Sequence, residues 1–141
     1  MPAQKLIERL QPLLGLSGDD RNQLRNMPTT VKTFADGEYV LQQGDRASSC
    51  VIVMSGFLFR QKVAGDRTQI LSFYVAGDMP DLHTLHLPLM DHDLCSAGPS
   101  TIAFVSHTVL NNMLRNSPTL THAFWRETLV DAAIYREWVA N

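Results

Sequence analysis

Three histidines, His83, His86 and His92, fall within one ten-residue stretch, interleaved with or flanked by Asp81, Asp91 and Asp93. Imidazole and carboxylate together suit zinc, iron or nickel. The spacing argues the other way. On a strand, residues three apart point to opposite faces, so His83 and His86 share a side only in a helical turn. Metal-dependent jelly-roll enzymes of the cupin type carry a tight His-x-His, then Glu, then a distant His, and this chain lacks that order. These histidines therefore read as surface or loop residues, with no metal-ligand set expected, and haem ligation has still less support. Asp78 and Asp81 resemble a general acid–base pair, yet no nucleophile or second base accompanies them. A turn and a helix N-terminus, where Asp is favoured, explain them better. Trp125 and Trp138 have too few basic neighbours, Arg126 and Arg136, to act as base-stacking platforms, so they read as packing residues. Met54, Met79, Met90 and Met113 read as core fillers. No catalytic set emerges, no enzyme activity is expected, and no cofactor is implied.

The composition narrows the class. With 141 residues, 45% of them hydrophobic, the chain fits one domain with a proper core. Twelve basic residues face fourteen acidic ones, a net charge of −2, without a lysine or arginine run. Such a balance argues against this segment gripping DNA by itself. Cys50 and Cys95 are too few and too far apart for a disulfide framework or a CxxC metal site, and read as reduced and buried. There is no apolar run of the ~18 residues a membrane span needs, and Met1–Lys5 lacks a signal-peptide core, so a cytoplasmic protein without membrane contact is expected.

The elements that must position these side chains fall into three stretches. Residues 1–30 predict an N-terminal helical segment. Leu6, Ile7, Leu10, Leu13 and Leu14 mark one amphipathic helix, which Pro12 ends or kinks, and Ser17 with Asp20 forms a capping box for a second, Asp19–Asn26. Residues 31–106 read as a barrel of short strands: Val31–Phe34, Tyr39–Leu41, Cys50–Ser55, Phe57–Val63, Thr68–Val75 and Thr101–Val105, punctuated by glycines. Residues 107–141 give a short helix capped by Ser106 and a long one opening at Ser117-Pro118. Leu120, Phe124, Trp125, Leu129, Val130, Ala133, Ile134 and Trp138 cover more than one stripe of that long helix. A terminal helix of a small barrel has one side to bury in its own domain, so the second side predicts a two-fold copy. The helix reaches Asn141 without a stop signal, as expected of a truncated chain.

The order of these elements, with Gly37-Glu38-Tyr39-Val40-Leu41-Gln42-Gln43-Gly44-Asp45, Val51-Ile52-Val53-Met54-Ser55-Gly56, Gly77-Asp78 and Ile102-Ala103-Phe104-Val105-Ser106, resembles the cyclic-nucleotide-binding domain of Crp/Fnr transcription regulators. Trp125–Trp138 is similar to the dimer helix of an alphaproteobacterial subgroup of these bacterial proteins. The resemblance implies a mainly β fold with flanking helices: a double-stranded β-helix, or jelly roll, short N-terminal helices and a long C-terminal dimerisation helix. It further implies signal sensing, a homodimer whose seam holds Phe124, Val130, Ile134 and Trp138, and an unknown small-molecule effector. DNA would be contacted only through a C-terminal helix-turn-helix domain outside this chain. The family's phosphate-binding cassette maps to Gly77, Asp78, Met79, Asp81 and His83, with Ala97 and Gly98 at the positions of its Arg and Ser/Thr. Asp78 stands for the family's ribose-binding Glu and Ala97 for its phosphate-binding Arg, so the cassette is degenerate and the ligand is expected not to be cyclic AMP. The iron–sulfur branch of the family needs a cysteine cluster that is absent here. A metal-binding jelly-roll enzyme and a ligandless dimerisation scaffold stand as the alternatives.

Overall fold

The computed structural model describes residues 2–14 and 16–140, and only the backbone at 11–14, 135 and 138–140. Two helices open the chain, α1 (Gln4–Leu14) and α2 (Gly18–Asn26). Pro12 does not end α1, which runs two residues past it. The capping box is present: the Ser17 hydroxyl accepts from the Asp20 N–H at 3.0 Å, and the Asp20 carboxylate accepts from the Ser17 N–H at 3.4 Å.

Five strands follow: β1 (Thr30–Phe34), β2 (Tyr39–Leu41), β3 (Ser49–Ala64), β4 (Arg67–Tyr74) and β5 (Asp93–Ser106). All pairings are antiparallel, in the order β1-β5-β3-β4, with β2 on the other half of β5. The strands build the jelly-roll fold expected, but the sheet stays open, since β1 and β4 do not pair. Two long strands carry it. β3 and β5 pair from Ser49↔Ser106 to Gln61↔Asp93, slipping register on both sides of Ser55. At that slip Gly56 takes φ 82°, and a Cβ there would meet the Pro99 carbonyl oxygen at 2.4 Å. The stretches Cys50–Ser55 and Phe57–Val63 are therefore one strand with a bulge, because Gly56 admits the positive φ without ending the ladder. The last strand likewise begins at Asp93, eight residues before Thr101.

Alternation along β3 builds two cores. Val51 and Val53 face inward with Leu58, Tyr74, Leu94 and Ile102. Cys50 and Ile52 face the opposite side and pack under the helices with Leu6, Leu10, Leu24, Leu110 and Leu120. The short helix α3 (His107–Asn116) leads into α4 (Pro118–Ala140). Ser117 begins α4 with its hydroxyl accepting from the Leu120 N–H at 3.1 Å and donating to the Asp20 carboxylate at 2.6 Å. That buried bond fastens the start of α4 to the start of α2. Among the described residues no helix is long and apolar enough to cross a membrane.

Candidate functional site

The segment from Gly77 to His92 joins β4 to β5 and lies beneath α4. Its first end is pinned on every side. Gly77 donates to the Val53 carbonyl at 2.8 Å, and the Asp78 carbonyl accepts from the Val53 N–H at 3.0 Å. Gly77 has φ 95°, and a Cβ there would stand 3.0 Å from the Lys5 carbonyl oxygen of α1. The Asp78 carboxylate accepts from the Val75 N–H at 2.7 Å and pairs with Arg9, which also reaches Glu127 of α4 at 3.4 Å. Asp78 is thus committed to binding its own fold.

The second end is different. Asp81 is fully buried; one oxygen accepts from the Val51 N–H at 3.0 Å, while Oδ2 has no hydrogen-bond partner. Burial pushes its carboxyl up to about 7, against the smaller opposing effect of the Val51 bond. A single 3₁₀ turn, Leu82–Leu85, follows, and Thr84 donates from its hydroxyl to the Asp81 carbonyl at 2.7 Å. Cys50 lies against this turn, 3.7 Å from the same carbonyl, and burial raises its thiol far above the usual range.

A cavity of about 350 Å³ opens between this turn, the strand face around Arg60, and α4. Met79, Leu82, Leu71 and Leu87 give it apolar walls; Arg60, Lys62, His83, Asp91, His92, Glu127 and Asp131 are its charged or titratable lining. Arg60 connects the two sides. It donates to the Pro80 carbonyl at 3.0 Å and to the Asp131 carboxylate at 2.9 Å, and its guanidinium lies 5.5 Å from the centre of the Tyr74 ring. Tyr74 donates to the other Asp131 oxygen at 2.9 Å. Arg60 Nε is buried without a hydrogen-bond partner. His83 and His92 face each other, ring centres 5.6 Å apart. His83 Nε2 is buried with no partner, whereas His92 Nδ1 lies 2.6 Å from an Asp91 oxygen. Desolvation lowers both imidazoles, His92 to about 4, helped by the nearby Arg60 charge. Both rings are accordingly neutral at pH 7. Asp91 is held below the usual carboxylate range: its partial burial raises it, but the hydrogen bond to His92 and the nearby Lys62 charge outweigh that.

The structure gathers Met79 and His83 on the cavity wall, with Asp81 buried directly beneath and Gly77 and Asp78 at the pinned end. It does not bring Ala97 and Gly98 there. Ala97 pairs with Phe57, and Gly98 donates to Asp36 at 2.7 Å, both at the far turn of β5. The stretch that returns to the cavity after the 3₁₀ turn is Asp91-His92, six residues earlier than the alignment predicted. His86 is exposed and stands apart from the other two histidines' site. On α4 the four residues expected at the seam are placed differently from one another. Phe124 is 3% exposed within its own chain, packed in the helical core. Val130 and Ile134 line a narrow groove against Phe73, Tyr74 and Arg9, and Ile134 is still 44% exposed, on another face of the helix from Trp125 and Leu129. The Trp138 side chain lies outside the described residues. The open apolar stripe is formed by Trp125 (61% exposed) and Leu129 (54%), one turn apart, followed by Ala132 and Ala133.

Sequence reasoning missed Arg60, Glu127, Asp131 and Arg9 as a group. One signal existed: Arg60 is a charge set directly after the apolar run Phe57-Leu58-Phe59.

The family model for the cyclic nucleotide-binding domain matches residues 31–117. No curated protein sequence matches the chain. Among solved structures, the chain is similar to a cyclic nucleotide-binding domain from Methylobacillus flagellatus KT, at 18% identity, TM-score 0.76, covering 96% of this chain and 79% of that one. It is also similar to the N-terminal domain of a transcriptional regulator from Streptomyces coelicolor A3(2), at 16% identity and TM-score 0.70, covering 94% and 93%. A third is the sensor domain of the transcriptional regulator DNR from Pseudomonas aeruginosa, at 17% identity and TM-score 0.71, covering 90% and 82%. At these identities the likeness establishes the fold.

Proposed function

The chain belongs to the cyclic nucleotide-binding domain family, and from that premise we propose that it is the effector-binding and dimerising part of a Crp/Fnr-type transcription regulator, responsive to a small molecule other than cyclic AMP. The observation that carries this reading is the cavity bridged by Arg60. One guanidinium holds both the 77–92 segment, through the Pro80 carbonyl, and the long helix, through Asp131. A molecule entering the cavity competes for Arg60 or wedges the two sides apart. Either way it acts differently on two positions of α4, which is what a ligand must do to shift an equilibrium between states. The helix passes that shift to DNA-binding domains beyond Asn141. The free thiols Cys50 and Cys95 fit a cytoplasmic setting.

Two features argue against cyclic AMP. Asp78, in the place of the ribose-binding Glu, is occupied by Arg9 and the Val75 N–H. A buried cyclic phosphate keeps its charge and requires a free cation. Arg60 and Lys62 face three carboxylates in the cavity lining, Asp91, Glu127 and Asp131, a formal balance of −1 with the histidines neutral. Arg60 is already engaged through one terminal nitrogen with the Pro80 carbonyl and Asp131, so a phosphate there competes with Asp131 for its charge. Calorimetry and thermal shift with cyclic AMP and cyclic GMP at millimolar concentration test this: no shift is expected. A ligand at a hundred times its Kd stabilises by ~2.7 kcal/mol, so micromolar binding would be plainly visible and would overturn the reading.

The dimer seam we place on the stripe of Trp125, Leu129, Ala132 and Ala133. Leu129→Glu puts a charge at its centre and should weaken self-association at least tenfold by sedimentation equilibrium, while Ile134→Glu, on the groove side, should do less. The reverse ranking would return the seam to Ile134.

A further inference from the structure

We propose that His83, Asp91 and His92 form a transition-metal site in the wall of the cavity, of the kind that takes zinc, with an open coordination position toward the cavity. The three residues each offer a ligand atom, and these atoms lie within 4.8 Å of one another. A tetrahedral ion with bonds of ~2.0–2.2 Å holds its ligand atoms roughly 3.3–3.5 Å apart, so the widest pairs need to close by about 1.5 Å at most, while His92 Nδ1 and the Asp91 oxygen, 2.6 Å apart, need to open by less than that.

Three further observations favour an ion here over a plain hydrogen-bonded cluster. His83 Nε2 is buried and has no hydrogen-bond partner, so this ring nitrogen lacks the group that would normally satisfy it. The two rings face each other across 5.6 Å in place of stacking with aromatic neighbours. His92 Nδ1 and an Asp91 oxygen already meet at 2.6 Å. A cation takes the place of the proton between them, the two atoms moving apart to admit it, so that Asp91 and His92 both become ligands. Donors of two nitrogens and one oxygen suit zinc and its neighbours better than magnesium or calcium, which prefer all-oxygen sets. Three protein ligands leave one tetrahedral position for water or an effector atom, the pattern of an open zinc site. The cavity's formal balance of −1 favours a divalent cation, although Arg60 and Lys62 stand among its lining residues and oppose it in part. His86, exposed just after the 3₁₀ turn, is not in the cluster, while Asp91 and His92, distant in spacing, return to His83 through the loop that follows.

The site stands whether or not the chain is a transcription regulator, and its test does not depend on an effector or DNA. Untagged protein, stripped with a chelator and exchanged into clean buffer, is titrated with zinc chloride by calorimetry and then assayed for bound metal by mass spectrometry. One zinc per chain with micromolar or tighter affinity is expected. His83→Ala and His92→Ala should each weaken binding at least tenfold, and His86→Ala should not. Asp91→Asn is the variant that guards against misfolding, since its side chain is 75% exposed; it too should weaken zinc binding while leaving the metal-free melting temperature unchanged. Cobalt(II) should give the intense visible absorption of a tetrahedral site in the wild type and lose it in Asp91→Asn. No stoichiometric zinc in the wild type, or zinc retained in His83→Ala and lost in His86→Ala, overturns the proposal.

Discussion

The two ends of the 77–92 segment lie side by side, yet they treat their polar atoms in opposite ways. At the Gly77-Asp78 end every charged or polar group has a partner: Asp78 with Arg9 and the Val75 N–H, Arg9 with Glu127. At the Asp81–His92 end three buried atoms have none: Asp81 Oδ2, His83 Nε2 and Arg60 Nε. An unpaired buried polar atom costs about 1–3 kcal/mol. Under the proposed function, these three atoms are the ones an entering molecule would satisfy, and the contrast is between a joint and the proposed receptor end within sixteen residues of chain.

The comparison breaks most visibly on Asp81. Its folded-state carboxyl is raised to about 7 from 3.8 by burial. The fold therefore holds the proton more tightly than the unfolded chain does. The resulting penalty is absent below about pH 4, grows as pH rises, and is complete above about pH 7. At ~1.4 kcal/mol per unit the upper bound is about 4 kcal/mol, reduced by local relaxation. Asp81→Asn keeps an oxygen for the Val51 N–H and removes the titration. The variant should gain stability over wild type steadily from pH 4 to pH 7.5 in denaturant unfolding. His83 and His92 act in the opposite sense, losing stability as pH falls below ~6.5, but they are common to both proteins and cancel in the difference. A flat difference curve would mean that Asp81 is charged and satisfied, and the receptor end no different from the joint.

A smaller effect is expected at the joint. Arg9→Ala leaves the carboxylates of Asp78 and Glu127, only 13% and 11% exposed, without their shared cation. A loss of about 1–2 kcal/mol is expected, tempered by the one-third exposure of Arg9 itself. The smallest effect sharpens the contrast. His83→Leu removes an unpaired nitrogen and keeps apolar bulk, so metal-free stability should stay level or rise by up to about 1 kcal/mol. Should His83→Leu cost as much as Arg9→Ala in the same melting experiment, the two ends would be equivalent.

What the sequence made legible were the elements whose signals are local. Ser17 with Asp20, and Ser117 with Pro118, announce helix starts because the cap, the capped amide and the fixed φ all lie within four residues. Gly56 is harder. A glycine between apolar runs reads as a turn, and only the approach of Pro99 from 43 residues away shows it to be a bulge. Gly98 and Pro99 hid the first half of β5 in the same way, so from sequence Ala97 is expected at the cavity, whose lining instead holds Asp91 and His92. The site was half legible. Asp81 and His83 stood out by type, but Arg60 reaches Asp131 across 71 positions and Arg9 reaches Glu127 across more than a hundred, and no spacing rule spans such distances.

The way α4 is fastened has a mechanical consequence. The helix is clamped at its base, where Leu120, Ala123 and Phe124 are sunk in the core and Ser117 is bonded to Asp20. Beyond Phe124 it is held by the ion pairs to Glu127 and Asp131, by the Tyr74 hydroxyl and by Val130 and Ile134 against Phe73 and Tyr74. At 1.5 Å per residue, Asp131 lies about 10 Å from that fulcrum and Ala140 about 24 Å. A rotation of the helix about that base would therefore carry Ala140 roughly 2.3 times as far as Asp131.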